Sequence, residues 1–268
     1  MSVFSSVLCA VDDSSLARRV FKHAVGLAGH CGARLTVMTI TKGDTRRADA
    51  EVRSMMRSVV PLDATFLDDL QLRVVNLAMG EPVDAILDEV KAGVDVVVVG
   101  THAKSNLSRW LLGSTSASLL REAVCPIMLV PPGQVEIATV DAQGATFHPG
   151  GVMAAVKLEE QNDRQLPLAG QLAALAKAPL SVMTVATGTT SDEAAEAALR
   201  ERTRGLGPDV KVFVRRGAVA DAIDQAALAE HAGLVVMGVR GSARSQPGDT
   251  ARAVVKAMDA LVIAVPPA

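Results

Sequence analysis

The stretch Asp95-Val96-Val97-Val98-Val99-Gly100, followed after twelve intervening residues by Gly113-Ser114-Thr115, decides how this chain is read. Four consecutive valines read as a strand buried on both faces, as in a parallel sheet. The run stops at Gly100, a residue type that lets the backbone turn sharply or approach a ligand. Gly113-Ser114-Thr115 then opens a helical stretch predicted over 116–123. Free N–H groups and hydroxyls at a helix start suit a phosphate. An ordinary strand-loop-helix with a glycine at each bend meets the same spacing.

The chain repeats itself in order. Val7-Leu8-Cys9-Ala10-Val11 matches Val152-Met153-Ala154-Ala155-Val156, and Leu35 to Ile40 matches Leu180 to Val185. Gly80 to Ile86 matches Gly217 to Ile223, Asp95 to Gly100 matches Gly233 to Gly238, and Ile127 to Pro131 matches Val262 to Pro266. A period this long indicates two domains rather than a solenoid, and 268 residues suit two domains that each bury a core. The predicted division is 1–132 and 151–268, joined by a linker over 133–150 that is rich in Gly, Gln, Thr and Pro.

Within each repeat strand and helix alternate, which predicts an α/β fold with a parallel sheet. In the first repeat the strands are read at 6–11, 35–41, 71–77, 95–99 and 127–130. A helix is read from Ser14, with Leu16, Val20, Ala24, Leu27 and Ala28 on one stripe. Another starts at Gly80-Glu81-Pro82, with Pro82 in its first turn.

Composition excludes several functions. A net charge of −2 gives no basic field for nucleic acid. With no tyrosine, five Phe and one Trp, the chain lacks platforms for stacking bases. No apolar run approaches the roughly 20 residues of a membrane span, and no signal peptide is read. Cys9, Cys31 and Cys125 are scattered, which fits a reducing cytoplasm, and no Cys/His cluster has metal-ligand spacing.

Ala10-Val11-Asp12 closing the first strand, the second strand at 35–40, the Gly100 to Gly113-Ser114 loop and Cys125-Pro126-Ile127 together resemble the universal stress protein family. Its domain belongs to the adenine nucleotide α-hydrolase-like superfamily. The resemblance covers nearly the whole chain as two copies. It implies two tandem open parallel five-stranded sheets with helices on both faces, a Rossmann-like arrangement. It further implies that the first copy binds ATP, with Mg or Mn carried by the triphosphate. Asp12 would accept hydrogen bonds from the adenosine part, and the Ile40 backbone would pair with the adenine edge. Gly100, Ala103, Gly113, Ser114 and Thr115 would form the phosphate cradle. These positions agree with the rule that open α/β sheets bind ligands beyond the carboxyl ends of their strands. Asp12 could equally cap the helix near Ser14, and Ile40 could serve only as a core side chain. Lys104, Arg109 and His102 could touch phosphates or stay solvated.

The family's loop signature carries glycine where Ala103 stands here. If that backbone needs φ > 0, alanine costs about 1 kcal/mol or more. The second copy departs further. Lys157 stands where Asp12 stands, six residues instead of nine separate Gly241 from Gly248, and Asp249 replaces Ser114. Negative charge at a phosphate position disfavours an anion, so the second copy is expected to bind no ATP. Its expected role is to pair with the first copy through the fifth strands, covering open edges; a homodimer of the chain is left open.

The resulting expectation is a cytoplasmic stress-response regulator that binds adenine nucleotide in its first domain. A nucleotide-independent adaptor or dimerisation protein is the alternative. No catalytic base or nucleophile pair stands near the loop, which leaves at most weak ATP hydrolysis.

Overall fold

The computed structural model describes residues 2–40, 45–60, 73–77, 81–101, 112–122, 124–133, 135–160, 164–239 and 249–267. The first half runs β1 (Ser6–Val11), α1 (Ala17–Cys31), β2 (Arg34–Ile40), α2 (Thr45–Arg57), β3 (Arg73–Leu77), α3 (Pro82–Lys91), β4 (Val96–Gly100), α4 (Ser114–Glu122) and β5 (Ile127–Val130). A hairpin, β6 (Ala138–Asp141) and β7 (Gly144–Phe147), follows. The second half runs β8 (Val152–Val156), α5 (Gln165–Ala176), β9 (Leu180–Val185), α6 (Asp192–Thr203), β10 (Lys211–Arg215), α7 (Val219–Ala229), β11 (Leu234–Gly238), α8 (Asp249–Ala257) and β12 (Leu261–Val265).

The strands join in one sheet of order β10-β9-β8-β11-β12-β5-β4-β1-β2-β3. Within each half every pairing is parallel. The halves meet where β5 pairs antiparallel with β12, Met128 opposite Ile263 and Leu129 opposite Val262. Each half is therefore an open parallel five-stranded sheet, and the two are fused edge to edge. Fusion satisfies the backbone N–H and C=O groups that an edge strand leaves unpaired.

The valine run of β4 follows from this architecture. Val96, Val97, Val98 and Val99 are all 3% exposed or less. Strand alternation sends successive side chains to opposite faces. Val96 and Val98 join the core under α1, α2, α5 and the hairpin; Val97 and Val99 join the core under α3, α4, α7 and α8. Each such burial contributes about 1.5–3 kcal/mol, so a strand covered on both sides is apolar at every position. Both cores run continuously across the β5–β12 seam.

The segment 133–150, expected as a linker, carries the β6–β7 hairpin, which lies on α1. Its turn is held by Asp141 Oδ1, which accepts from the amides of Gln143 and Gly144 at 2.9 and 3.1 Å. Ile137 and Phe147 are each 1% exposed and belong to the core. Gly26 and Gly29, one turn apart on α1, give the hairpin its seat. A Cβ on Gly26 would fall 2.4 Å from Ala138 Cβ, and one on Gly29 would fall 2.9 Å from Ala145 Cβ. The Arg19 guanidinium donates to the Pro131 carbonyl at 3.0 Å and to Val135 O, and it pairs with Glu136. Lys22 reaches the same Glu136 carboxylate at 3.0 Å. At the far end of α1, His30 Nε2 lies 3.0 Å from Leu175 O in the second half.

Two helix starts differ from the sequence reading. α1 starts at Ala17 rather than at Ser14; the Ser14 carbonyl accepts from Ala17 N at 3.2 Å in a preceding turn. α4 starts at Ser114 rather than at 116, so Ser114, Thr115 and Ser116 form its first turn.

Candidate functional site

With β1 at its centre, the strand order of the first sheet reverses between β1 and β4, which run parallel. β1 is followed in the chain by β2 on one side, whereas β4 lies on the other. Such a switch point opens a crevice beyond the carboxyl ends of the strands, because the two crossover connections leave in opposite directions. A cavity of about 400 Å³ lies there. Its floor is the end of β1 (Ala10 to Asp12) and the end of β4 (Val99 and Gly100). Ser14, Ala17 and Val20 form one wall, and Met38, Pro82 and Ile86 form an apolar one. Gly113, Ser114, Thr115 and Ser116 close the rim.

The first turn of α4 faces this space. The leading amides of any helix have no intrahelical acceptor, and the helix dipole places partial positive charge at that end. The hydroxyls of Ser114 and Thr115 in that turn add donors. The turn is fixed to the sheet by two bonds. Ser116 Oγ donates to Gly100 O at 2.6 Å, and Gly113 N donates to Thr101 O at 2.8 Å. Thr101 is 3% exposed, and its amide donates to Val130 O at 3.1 Å, which holds it to the end of β5.

Of the expected site residues, Asp12, Gly100, Gly113, Ser114 and Thr115 line the cavity together. Ile40 ends β2 at the same edge of the sheet, its backbone in register with Leu77. Ala103 lies outside the described residues, as do His102, Lys104 and Arg109. Asp12 does not cap α1. Its Oδ1 accepts from Ser14 N at 3.0 Å, a local turn two residues on, while Leu16 occupies the cap position with no side-chain bond. This turn leaves the exposed Asp12 carboxylate facing the mouth.

Gly100 also has a packing reason to be bare. A Cβ there would fall 2.8 Å from Leu16 Cδ2 and 3.2 Å from Val20 Cγ2. The start of α1 rests on the end of β4, and glycine permits that approach. Sequence reasoning also left out Ser116, Met38 and Ile86. Ser116 had a signal: it is the third consecutive hydroxyl residue after Gly113. Met38 and Ile86 had none, since any apolar residue at those positions reads as core.

The corresponding strand ends of the second half carry different side chains. Lys157, in the place of Asp12, lies 3.6 Å from Glu160. The Arg202 guanidinium donates to the carbonyls of Lys157 and Leu158, at 3.4 and 2.5 Å. Asp249 begins α8 where Ser114 begins α4. Among the described residues, no group of three or more His, Cys, Asp or Glu is placed to hold a metal ion. Among them, too, no helix is long and apolar enough to cross a membrane.

Comparison with known proteins gives this architecture a family. The model of the universal stress protein family matches residues 4–131 and again 176–266. A curated universal stress protein of Thermus aquaticus is 30% identical over 136 residues, spanning 48% of this chain and 99% of that protein. The crystal structure of a universal stress protein from Archaeoglobus fulgidus matches with a TM-score of 0.70 at 18% identity, covering 99% of both chains. A universal stress protein solved in complex with cAMP covers 45% of this chain and 99% of its own, at 21% identity and a TM-score of 0.39. The two matched segments account for most of the sequence, and the chain belongs to the universal stress protein family.

Proposed function

We propose that the first half binds an adenine nucleotide in the cavity at the β1–β4 switch point, and that the protein acts through this site as a stress-response regulator. One observation carries the reading. The Asp12 carboxylate, an apolar wall of Met38 and Ile86, and a hydroxyl-rich helix start all face one cavity of about 400 Å³. An apolar slot suits a purine, a carboxylate suits ribose or amino donors, and a helix N-terminus suits phosphate. ATP with its own Mg or Mn is the form proposed. The described lining residues include no Lys or Arg, so the bound divalent ion and the sequence neighbours Lys104 and Arg109 would offset the triphosphate charge.

The second half serves as an internal partner and binds no nucleotide in this manner. Asp249 would place a carboxylate beside the phosphates, and Lys157 reverses the charge at the adenosine end. The seam of β5 and β12 supports this division of roles, because it leaves the chain paired with itself.

Trp110 is the only tryptophan, and in sequence it falls within the Gly100–Gly113 loop. Titrating ATP with magnesium should change its fluorescence saturably, and freshly purified protein should release adenine nucleotide on denaturation. A flat titration together with nucleotide-free protein would overturn the reading in favour of a nucleotide-independent adaptor.

A further inference from the structure

The hairpin β6–β7 is held on α1 by charge at one end and by glycine contacts along its length, and a histidine is sealed in next to it. His23 is 0% exposed. Among the described residues, neither of its ring nitrogens has a hydrogen-bond partner. At 100° per residue, His23 lies on α1 between the stripe that meets the sheet (Val20, Ala24, Leu27) and the side that seats the hairpin (Gly26, Gly29). A buried, unpaired imidazole costs folding free energy, so such a group calls for a reason.

We infer that the hairpin is a proton-gated clasp: when His23 takes up a proton, β6–β7 leaves α1 so that the imidazolium can reach water. The charges around the ring set the direction. On its own helix Arg19 and Lys22 are cationic, and across the hairpin His148 follows β7; all three oppose a proton on His23. Glu136, the carboxylate at the base of the hairpin, is already engaged by Arg19 and Lys22. Among the described residues, the charges that act on a docked His23 are all cationic and oppose its charged form. Burial, reinforced by those neighbours, pushes its pKa from the ordinary 6.5 down to about 3. The neutral ring favours the docked hairpin and the charged ring favours the open one. The sign follows: docking is complete above pH 6.5 and weakens as pH falls toward 3. The same helix supplies Ala17 and Val20 to the cavity wall, so clasp and cavity share one element.

Hydrogen exchange on the full chain, corrected for intrinsic rates, tests this. An open-state value of 6.5 against a docked value of about 3 predicts that hairpin protection falls about thirtyfold between pH 7.5 and 5.0. Peptides from β4 should hold their protection. His23→Leu should make hairpin protection independent of pH, with His23→Gln as the substitute if that variant does not fold. His148→Gln should retain most of the fall, since the proton goes to His23. Three results would overturn the inference: no loss at pH 5.0, an equal loss in the His23 variant, or a loss shared by β4, which would mean global unfolding.

Discussion

Ser116 Oγ donates a 2.6 Å hydrogen bond to the carbonyl of Gly100, tying the first turn of α4 to the end of β4. This one bond sets where the helix amides stand relative to the strand end, and Ser116 is 3% exposed. Ser116→Ala leaves the Gly100 carbonyl short of a donor in a buried place. The expected loss is about 1–2 kcal/mol of stability in urea unfolding. Nucleotide affinity should fall several-fold because the turn is no longer pinned. Unchanged affinity would mean that α4 holds its place without the bond.

The same strand-end glycine does different work in the two halves. In the first, Leu16 and Val20 crowd Gly100. In the second, a Cβ on Gly238 would sit 3.4 Å from Gln165 Oε1, an ordinary contact. Gly100→Ala requires the Leu16 and Val20 side chains to shift and should therefore cost about 1 kcal/mol through overpacking, whereas Gly238→Ala should cost less. Thermal unfolding of the two variants side by side checks the contrast, and equal costs would refute the packing account of Gly100.

Gly26→Ala should loosen the hairpin without dismantling the sheet. The added methyl meets Ala138 Cβ at 2.4 Å and the Thr146 carbonyl at 3.0 Å, and neither atom is the tip of a flexible chain. We expect a loss of about 1–3 kcal/mol and faster exchange of the β6 and β7 amides, with β8 and β9 unchanged. Normal hairpin protection in this variant would show that the seat on α1 is dispensable.

The three cysteines should be silent toward thiol reagents at pH 8. Cys9, Cys31 and Cys125 are buried and unpaired. Burial pushes the Cys9 thiol far up and raises those of Cys31 and Cys125 to about 11. The nucleophile is the thiolate, so all three should react only at the rate of unfolding. Rapid labelling of any one in native buffer would contradict its placement.

Much of this fold is legible in the chain itself. The ordered repeat announces two copies, and the valine run announces a strand covered on both faces, since a strand with one wet face would alternate. The pairing of Met128 with Ile263 is less visible, because an apolar last strand reads the same whether it faces a partner or a helix. The hairpin was hidden by composition. Its Gly, Gln and Thr suggested a linker, while Ile137 and Phe147, the residues that anchor it in the core, are too few to make a pattern. At the site, Asp12, Gly113, Ser114 and Thr115 could be named because their chemistry suits a phosphate or a polar donor. Ser116 was absorbed into a helix read two residues too late. Gly100 lines the cavity, and the sequence does not reveal that α1 also rests on it. His23 gave no signal, as it falls on a helix between two apolar stripes.

The central claim is that the front half carries a polyanion site which the rear half has lost by charge. Isothermal calorimetry of the intact chain with ATP and magnesium, beside the variant Ser114→Asp, tests it most directly. That substitution copies Asp249 of the second half into the first turn of α4. The account predicts one nucleotide per chain in the parent and binding at least tenfold weaker in the variant, a difference of about 1.4 kcal/mol or more. Two nucleotides per chain, or equal binding by parent and variant, would contradict it.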